Sequence, residues 1–373
     1  MPRLLSVYLC TTTRSFRISS CHGDVEVNVL SREKRLQVLA ALVDGNSERA
    51  VERMTHVNRL TISRLGLTLG QGSRFLHNRM VRGLSCSLVQ VDEIWSYVGK
   101  KQRRVQPGDP PDVGEAYTFT ALDTASRLLI SYYVGKRNEE STQVFINYLR
   151  SRLVVMPAMT SDGWAPYIGA IAGNFGVSVD YLQTIKNYSR TGRRNGGDDH
   201  RYEPPRDPFI TKKVIYGAPD IDRASTAYVE RNNGTMRHLI GRMRRLCYAF
   251  SKRIDHHRSA WAIAVAHYNF CHVIKTLRCT PAMQAGITDH LWNIEEFYDV
   301  IASEPTCDAP RLQPLAHRTP ETTSRELPGG RGFLRVVKGA GAPRGPVPPT
   351  TIEAPLEVQL GLFDEPPNDP LPA

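Results

Sequence analysis

The chain has 373 residues, room for one large domain with appendages or for two to three modules. Its 48 Lys+Arg outnumber 37 Asp+Glu, a formal charge of +11 that favours a polyanionic partner. No run of 18 apolar residues argues for a membrane span, and seven scattered cysteines without a C-x-x-C pair argue against a disulfide framework or a zinc ribbon.

The first 23 residues carry Arg3, Arg14 and Arg17, several Ser and Thr, and no acid. Their composition mimics a transit peptide, but a disordered basic arm or an early-assigned start over 1–27 is the simpler expectation. Cys10, Cys21 and His22 lack the paired spacing of a zinc site. From Ser31 the pattern turns helical, with Leu36, Leu39 and Val43 on one face and a stop at Asp44–Asn46. A short helix over 48–54, a turn at 55–58 and a third helix follow, so 28–80 reads as a helix-turn-helix domain. Its third helix would present Asn58, Arg59, Thr61, Ser63 and Arg64 to DNA, although three such helices also serve as a plain packing unit.

An α/β domain is expected over 86–300. "LVQVDEIWSYVG", "AYTFTALD" and "RLLISYYVG" read as three antiparallel strands, the last two joined by a polar turn at 123–127. The basic cluster Lys100, Lys101, Arg103 and Arg104 then falls in the turn after the first strand, where it meets DNA phosphate or solvent. A helix from Ser141, its expected N-cap, runs to Leu153; a strand spans 154–160, a helix 165–175 and a strand 177–182. Residues 189–211 read as a Gly- and Pro-rich loop insertion.

A long helix is expected from Thr226 to Cys247 and another from Asp255 to Thr276, the latter with Trp261, Val265, Tyr268 and His272 on one stripe. Val229, Met236 and Met243 read as core. His256, His257, His267 and His272 read as core or surface residues rather than ligands. Beyond 304 the prolines and glycines predict a disordered tail.

Three acids stand out, spaced by 70 and 68 residues: Asp92 inside the first strand, Asp162 in "TSDGW" just past a strand, and Glu230 one turn into a helix. An Asp before Gly is commonly a turn residue, and a Glu in a first helical turn commonly answers the helix dipole. Asp92 is harder to explain that way, because a carboxylate in a central strand is costly unless paired or metal-bound. Strand alternation places its neighbour Glu93 on the opposite face, so only one of the two is expected in the pocket. Asn233 and Arg237 share the face of Glu230; Asn233 would support the metal shell or the DNA, and Arg237 would contact phosphate. Arg242, Arg244 and Arg245 would track the DNA backbone or simply solvate a face.

Together "VDEIWSYVGKK", "YTFTALD", "TSDGWAPY", "YVERNNGTMR" and "HYNFCHVIKTLRCTPAMQAGI" resemble, in order and over roughly 28–295, the transposases of bacterial insertion sequences of the insertion-sequence-one type. The resemblance implies an RNase H-like mixed sheet flanked by helices and an Asp-Asp-Glu triad at Asp92, Asp162 and Glu230. Those carboxylates would hold two Mg²⁺ ions (Mn²⁺ can substitute) about 3.5–4 Å apart, activating a water or a 3′-hydroxyl and stabilising the leaving oxygen. It also implies double-stranded DNA partners (terminal inverted repeats and target), a homodimer or larger synaptic assembly, a bacterial cytoplasmic, nucleoid-associated location, and a start near Val27. In the tail, Gln359, Leu360, Leu362 and Phe363 in "EVQLGLFDE" resemble a sliding-clamp docking motif. The competing readings are a non-catalytic DNA-binding regulator and an RNase H-like nuclease without strand transfer.

Overall fold

The computed structural model describes residues 29–188, 205–244, 248–304, 321–326 and 333–338. Three N-terminal helices follow the expected order. Helix α1 (Arg32–Val43) is capped by the Ser31 hydroxyl accepting from the Lys34 N–H, and α2 (Glu48–Thr55) by Ser47 accepting from the Ala50 N–H. His56, at a left-handed φ of 57°, turns the chain into α3 (Arg59–Met80), whose cap is Asn58. Val38, Val51, Val57 and Ile62 close a small core at this turn.

The 22-residue α3 runs well past that core. Its second half packs against α7 (Ile254–Phe270) and α9 (Ile294–Ser303), and Leu69 and Leu76 join the main core. Gly70 and Gly72 permit the approach: a methyl group at Gly70 would strike Ser259 of α7, and one at Gly72 the backbone carbonyl of Ile301. The buried Arg152 guanidinium donates to the carbonyls of His77 and Val81, at 3.2 and 2.9 Å, and so closes the open end of α3.

The sheet is built around β1 (Leu88–Val98). It pairs antiparallel with β2 (Gly114–Asp123), which pairs antiparallel with β3 (Leu129–Gly135). Its other edge pairs parallel with β4 (Ala158–Ser161), through the register Leu88–Ala158 to Gln90–Thr160 only. Strand β5 (Tyr181–Tyr188) lies parallel to β4, and β6 (Pro205–Tyr216) antiparallel to β5, giving the order β3-β2-β1-β4-β5-β6. Helices α4 (Glu139–Arg150) and α5 (Pro166–Phe175) cover one face, where Phe145, Ile146 and Ile171 meet Val89, Val91 and Phe119. On the other face α6 (Ala227–Leu239) and α7 bring Val229, Met236, Trp261, Val265 and Tyr268 against Ile94, Leu122 and Leu129. This is the mixed α/β arrangement, a six-stranded mixed sheet flanked by helices, that the resemblance implies. Helix α8 (Pro281–Gln284) leads towards α9, and among the described residues no helix is long and apolar enough to cross a membrane.

Several boundaries depart from the sequence reading. Asn138, not Ser141, caps α4, its Oδ1 accepting from the Ser141 N–H at 2.9 Å. Helix α6 stops at Leu239 instead of running to Cys247: Ile240 leaves the helical region, Gly241–Met243 form a 3-10 turn, and Ile240 and Met243 both bury into the core. Helix α7 ends at Phe270, so His272 stacks on Tyr268 from beyond the helix. Strands β4 and β5 start later than expected, and 205–211, read as loop, belong to β6; residues 189–204 lie outside the described residues. Within the tail, β7 (Glu321–Glu326) and β8 (Phe333–Lys338) pair as an antiparallel hairpin, a unit separate from the rest by its contacts.

Removing a mid-helix glycine ordinarily stabilises by up to about 1 kcal/mol. Gly72→Ala is expected to do the opposite and cost roughly 1–3 kcal/mol, because the Ile301 backbone must move. Gly169→Ala on α5, where no atom lies within 4 Å of the added methyl, is expected to stabilise slightly. Urea unfolding midpoints of the two variants check the contrast.

Candidate active site

The site arises from one mismatch of strand length. Strand β4 ends at Ser161, and Asp162 turns the chain outward, its Oδ1 accepting from the Trp164 N–H at 3.0 Å. Between Gln90 and the isolated bridge of Val98 to Ser251, β1 therefore has no described neighbour on that edge, and a cleft opens beside Asp92 and Glu93. Alternation still sends Asp92 towards α6 and Glu93 towards α5. With the neighbouring strand gone, however, both carboxylates reach the same gap: oxygens of Asp92, Glu93 and Asp162 lie within 4.8 Å of one another. The expectation that Glu93 turns away from the pocket is thus corrected. Alternation sets the face a residue occupies, but where a neighbouring strand stops short, side chains from both faces can reach round the open edge.

Helix α6 is registered on the same strand. The buried Gln90 Oε1 accepts from the N–H groups of Tyr228 and Val229, both at 3.0 Å, and so satisfies the first turn of α6. Thr226, in the N-cap position, is thereby released to donate to Glu230 Oε1 at 2.6 Å. One turn on, Asn233 Nδ2 donates to Asp92 Oδ2 at 2.7 Å, and the buried Thr120 hydroxyl donates to Asn233 Oδ1 at 3.2 Å. Glu230 lines the same cavity of about 870 Å³, outside the tight group of three acids, with Lys186 Nζ 2.6 Å from its Oε2. Arg237 lines the cavity too.

The electrostatics are those of crowded acids. Burial, then the charges of Asp162 and Glu93, hold the Asp92 carboxyl well above its ordinary value. Burial and Asp162 push Glu93 up to about 7, and burial raises Asp162. Arg137 stands against this crowd, its Nη2 3.1 Å from Glu93 Oε2 and 3.5 Å from Asp162 Oδ2. Its guanidinium lies 4.0 Å from the Trp164 ring, which Trp164 Nε1 fixes by donating to Thr142 Oγ1 at 3.1 Å. Three convergent carboxylates with no sulfur or imidazole among them suit a hard divalent cation that takes oxygen ligands.

The structure brings together Asp92, Asp162, Glu230, Asn233 and Arg237, all named from sequence. Asn58, Arg59, Thr61 and Arg64 are exposed on the third helix, with Ser63 half-buried. Lys101, Arg103 and Arg104 are exposed on a short 3-10 turn between β1 and β2, whereas Lys100 is engaged by Asp109 at 2.7 Å. Arg244 is exposed; Arg245, Gln359, Leu360, Leu362 and Phe363 lie outside the described residues. His257 is buried between the Ser96 and Ser251 hydroxyls and has no part in the cleft. Sequence reasoning missed Gln90, Arg137, Trp164 and Lys186. Only Trp164 carried a signal, its place directly after "SDG"; the others depend on pairing register.

No protein-family model matches the chain. The insertion element iso-IS1n protein InsB of Shigella dysenteriae is 23% identical over 183 residues, 49% of this chain and 97% of that protein. Among solved structures, piggyBac transposase in a synaptic complex with hairpin DNA is 11% identical, covering 73% of this chain and 70% of that one at a TM-score of 0.33. Mos1 transposase in a paired-end complex with its left transposon end is 14% identical, covering 42% and 59% at a TM-score of 0.16. At these TM-scores the structural likenesses carry no weight for the site.

Because the folded chain holds the Glu93 proton more tightly than the unfolded chain, stability from that proton is complete below the ordinary glutamate range. It is lost as pH rises through about 7. The shift corresponds to roughly 3 kcal/mol for this almost fully buried side chain. The melting temperature of metal-free protein is therefore expected to fall between about pH 5 and pH 8, and to fall less in Glu93→Gln. An identical slope in the variant would remove Glu93 from the acid cluster.

Proposed function

Starting from the kinship with insertion-sequence-one-type transposases, we propose that this chain is a DNA transposase that cuts the ends of an insertion sequence and joins the freed 3′-hydroxyl to target DNA. The observation that carries the reading is the meeting of Asp92, inside β1, with Asp162, just past the end of β4, and with Glu230 in the same cleft. The three would hold two divalent ions, Mg²⁺ or Mn²⁺, which when bound supply the Lewis acidity for hydrolysis and transesterification.

The chain's own part is positioning. Asn233 fixes the Asp92 carboxylate, the Trp164 N–H fixes Asp162, and Thr226 with Lys186 holds Glu230. Each acid is oriented before substrate arrives, so little reorganisation is left for the reaction itself. Arg237 offers a guanidinium to a phosphate in the cleft. Asn58, Arg59, Thr61, Ser63 and Arg64 would read the terminal repeats, and Lys101, Arg103, Arg104, Arg244 and Arg245 would track flanking backbone, with Lys100 held back by Asp109. Two ends to be joined call for a dimer or larger assembly. The work would take place on the bacterial chromosome in the cytoplasm, with the 359–363 segment as a contact to the sliding clamp.

The test uses labelled transposon-end DNA with Mg²⁺, comparing wild type with Asp92→Asn, Asp162→Asn and Glu230→Gln. Nicking and joining are expected to fall on the order of 10³-fold in each variant while end binding persists. Undiminished activity in Asp92→Asn would refute the site. Binding without cleavage by wild type would establish a regulator instead, and cleavage without joining a nuclease.

A further inference from the structure

We propose that Arg137 is a substrate-binding residue of this cleft: its guanidinium rests on Glu93 and Asp162 in the metal-free protein and transfers to a DNA phosphate when a divalent cation occupies the acids. The proposal rests on the transposase reading above and adds to it a residue and a role.

Four observations support it. First, the pairing is loose. Both Nε and Nη2 address one oxygen, Glu93 Oε2, at 3.3 and 3.1 Å, and the contact with Asp162 Oδ2 is 3.5 Å, so no parallel two-oxygen fork forms. Second, the partners are unequally placed: the Glu93 side chain is 3% exposed, the Arg137 side chain 34%. A guanidinium serving only to neutralise a buried acid belongs in the interior with it. Third, Arg137 has somewhere to go. It lines both the acid cleft and a neighbouring cavity of about 550 Å³, lined by Gln102 and Val113 of the β1–β2 connection and by Tyr117 of β2.

Fourth, the backbone on either side of Arg137 is anchored, so a transfer is confined to its side chain. Lys136 Nζ donates to the carbonyls of Val113 and Glu115 at 2.9 and 2.8 Å, and Asn138 caps α4, so the backbone on both sides of Arg137 is anchored. The guanidinium carbon lies 4.0 Å over the Trp164 ring, a cation–π contact that ties it to no single oxygen. A cation at the acids would repel the guanidinium from them, and the same cleft would then hold DNA phosphate, whose oxygens the arginine fork fits bidentately.

The test counts phosphate contacts. End-DNA affinity is measured against salt for wild type, Arg137→Ala and Arg137→Lys, with Ca²⁺ and with EDTA. With Ca²⁺, Arg137→Ala is expected to reduce the steepness of log K against log salt by about 0.9, the value of one phosphate contact, with Arg137→Lys restoring it. In EDTA, wild type and Arg137→Ala should share one slope, because the guanidinium is held by the acids. Mn²⁺ binding to DNA-free protein, followed by electron paramagnetic resonance, should be unchanged or tighter in Arg137→Ala. Equal slopes in Ca²⁺, or Mn²⁺ binding weakened in Arg137→Ala, would overturn the proposal and leave Arg137 a clamp on Glu93. If wild type neither binds Mn²⁺ nor cleaves end DNA, the transposase reading fails first and this proposal with it.

Discussion

The arrangement of the molecule follows from carboxylates crowded where water is scarce. Two like charges about 4–5 Å apart repel by roughly 3–4 kcal/mol even at an effective dielectric constant near 20. Asp92, Glu93 and Asp162 meet within such a distance, and burial raises all three. A fold tolerates this only if the backbone beneath is too well fixed to move apart. Strand β1 meets that requirement, paired with β2 from Val89 to Val98 and with β4 over its first residues.

From β1 the constraint spreads outward. Gln90 sets the start of α6, Asn233 ties α6 to Asp92, and Val229 and Met236 bury against Ile94 and α7. Helix α7 is two-sided: Trp261, Val265 and Tyr268 serve the α6 layer, while Ile263, Ala266 and Phe270 serve the main core. Helix α3 lies along α7 and is locked at its end by Arg152. That buried cation also helps to hold His77 far below its ordinary value, to about 3, after burial itself. Neutral His77 then stays within hydrogen-bond reach of the Leu129 carbonyl on β3. A continuous run of packing thus joins the helix carrying Asn58 and Arg59 to the helix carrying Glu230.

Much of this was legible in the residues. Asp92 betrayed itself as an acid in an apolar strand, and the spacing of Val229, Met236 and Met243 identified three core residues, although Met243 lies past the end of α6. What failed did so for reasons of context. The helix pattern through 240–247 is locally sound, but tertiary burial of Ile240 and Met243 turns the chain early. The loop-like composition of 205–211 is overridden by pairing with β5. Glu93 was misplaced because alternation says nothing about where a neighbouring strand ends, and that end depends on a pairing register set seventy residues away.

The same strand order also supplies the cleft with cations. Lys186 does for Glu230 what Arg137 does for Glu93 and Asp162, reaching it from β5, the next strand beyond β4. Glu93, Asp162 and Glu230 thus each have a protein cation beside them, and Asp92 has the Asn233 amide. The cost appears as competition. On the proposal made for Arg137, a divalent cation entering the cleft would displace side-chain cations already seated on its ligands, and those cations would then stand beside a DNA phosphate bound there. Affinity for the metal and affinity for DNA would then be coupled through Arg137 and Lys186, each strengthening the other by the reciprocity that linkage requires.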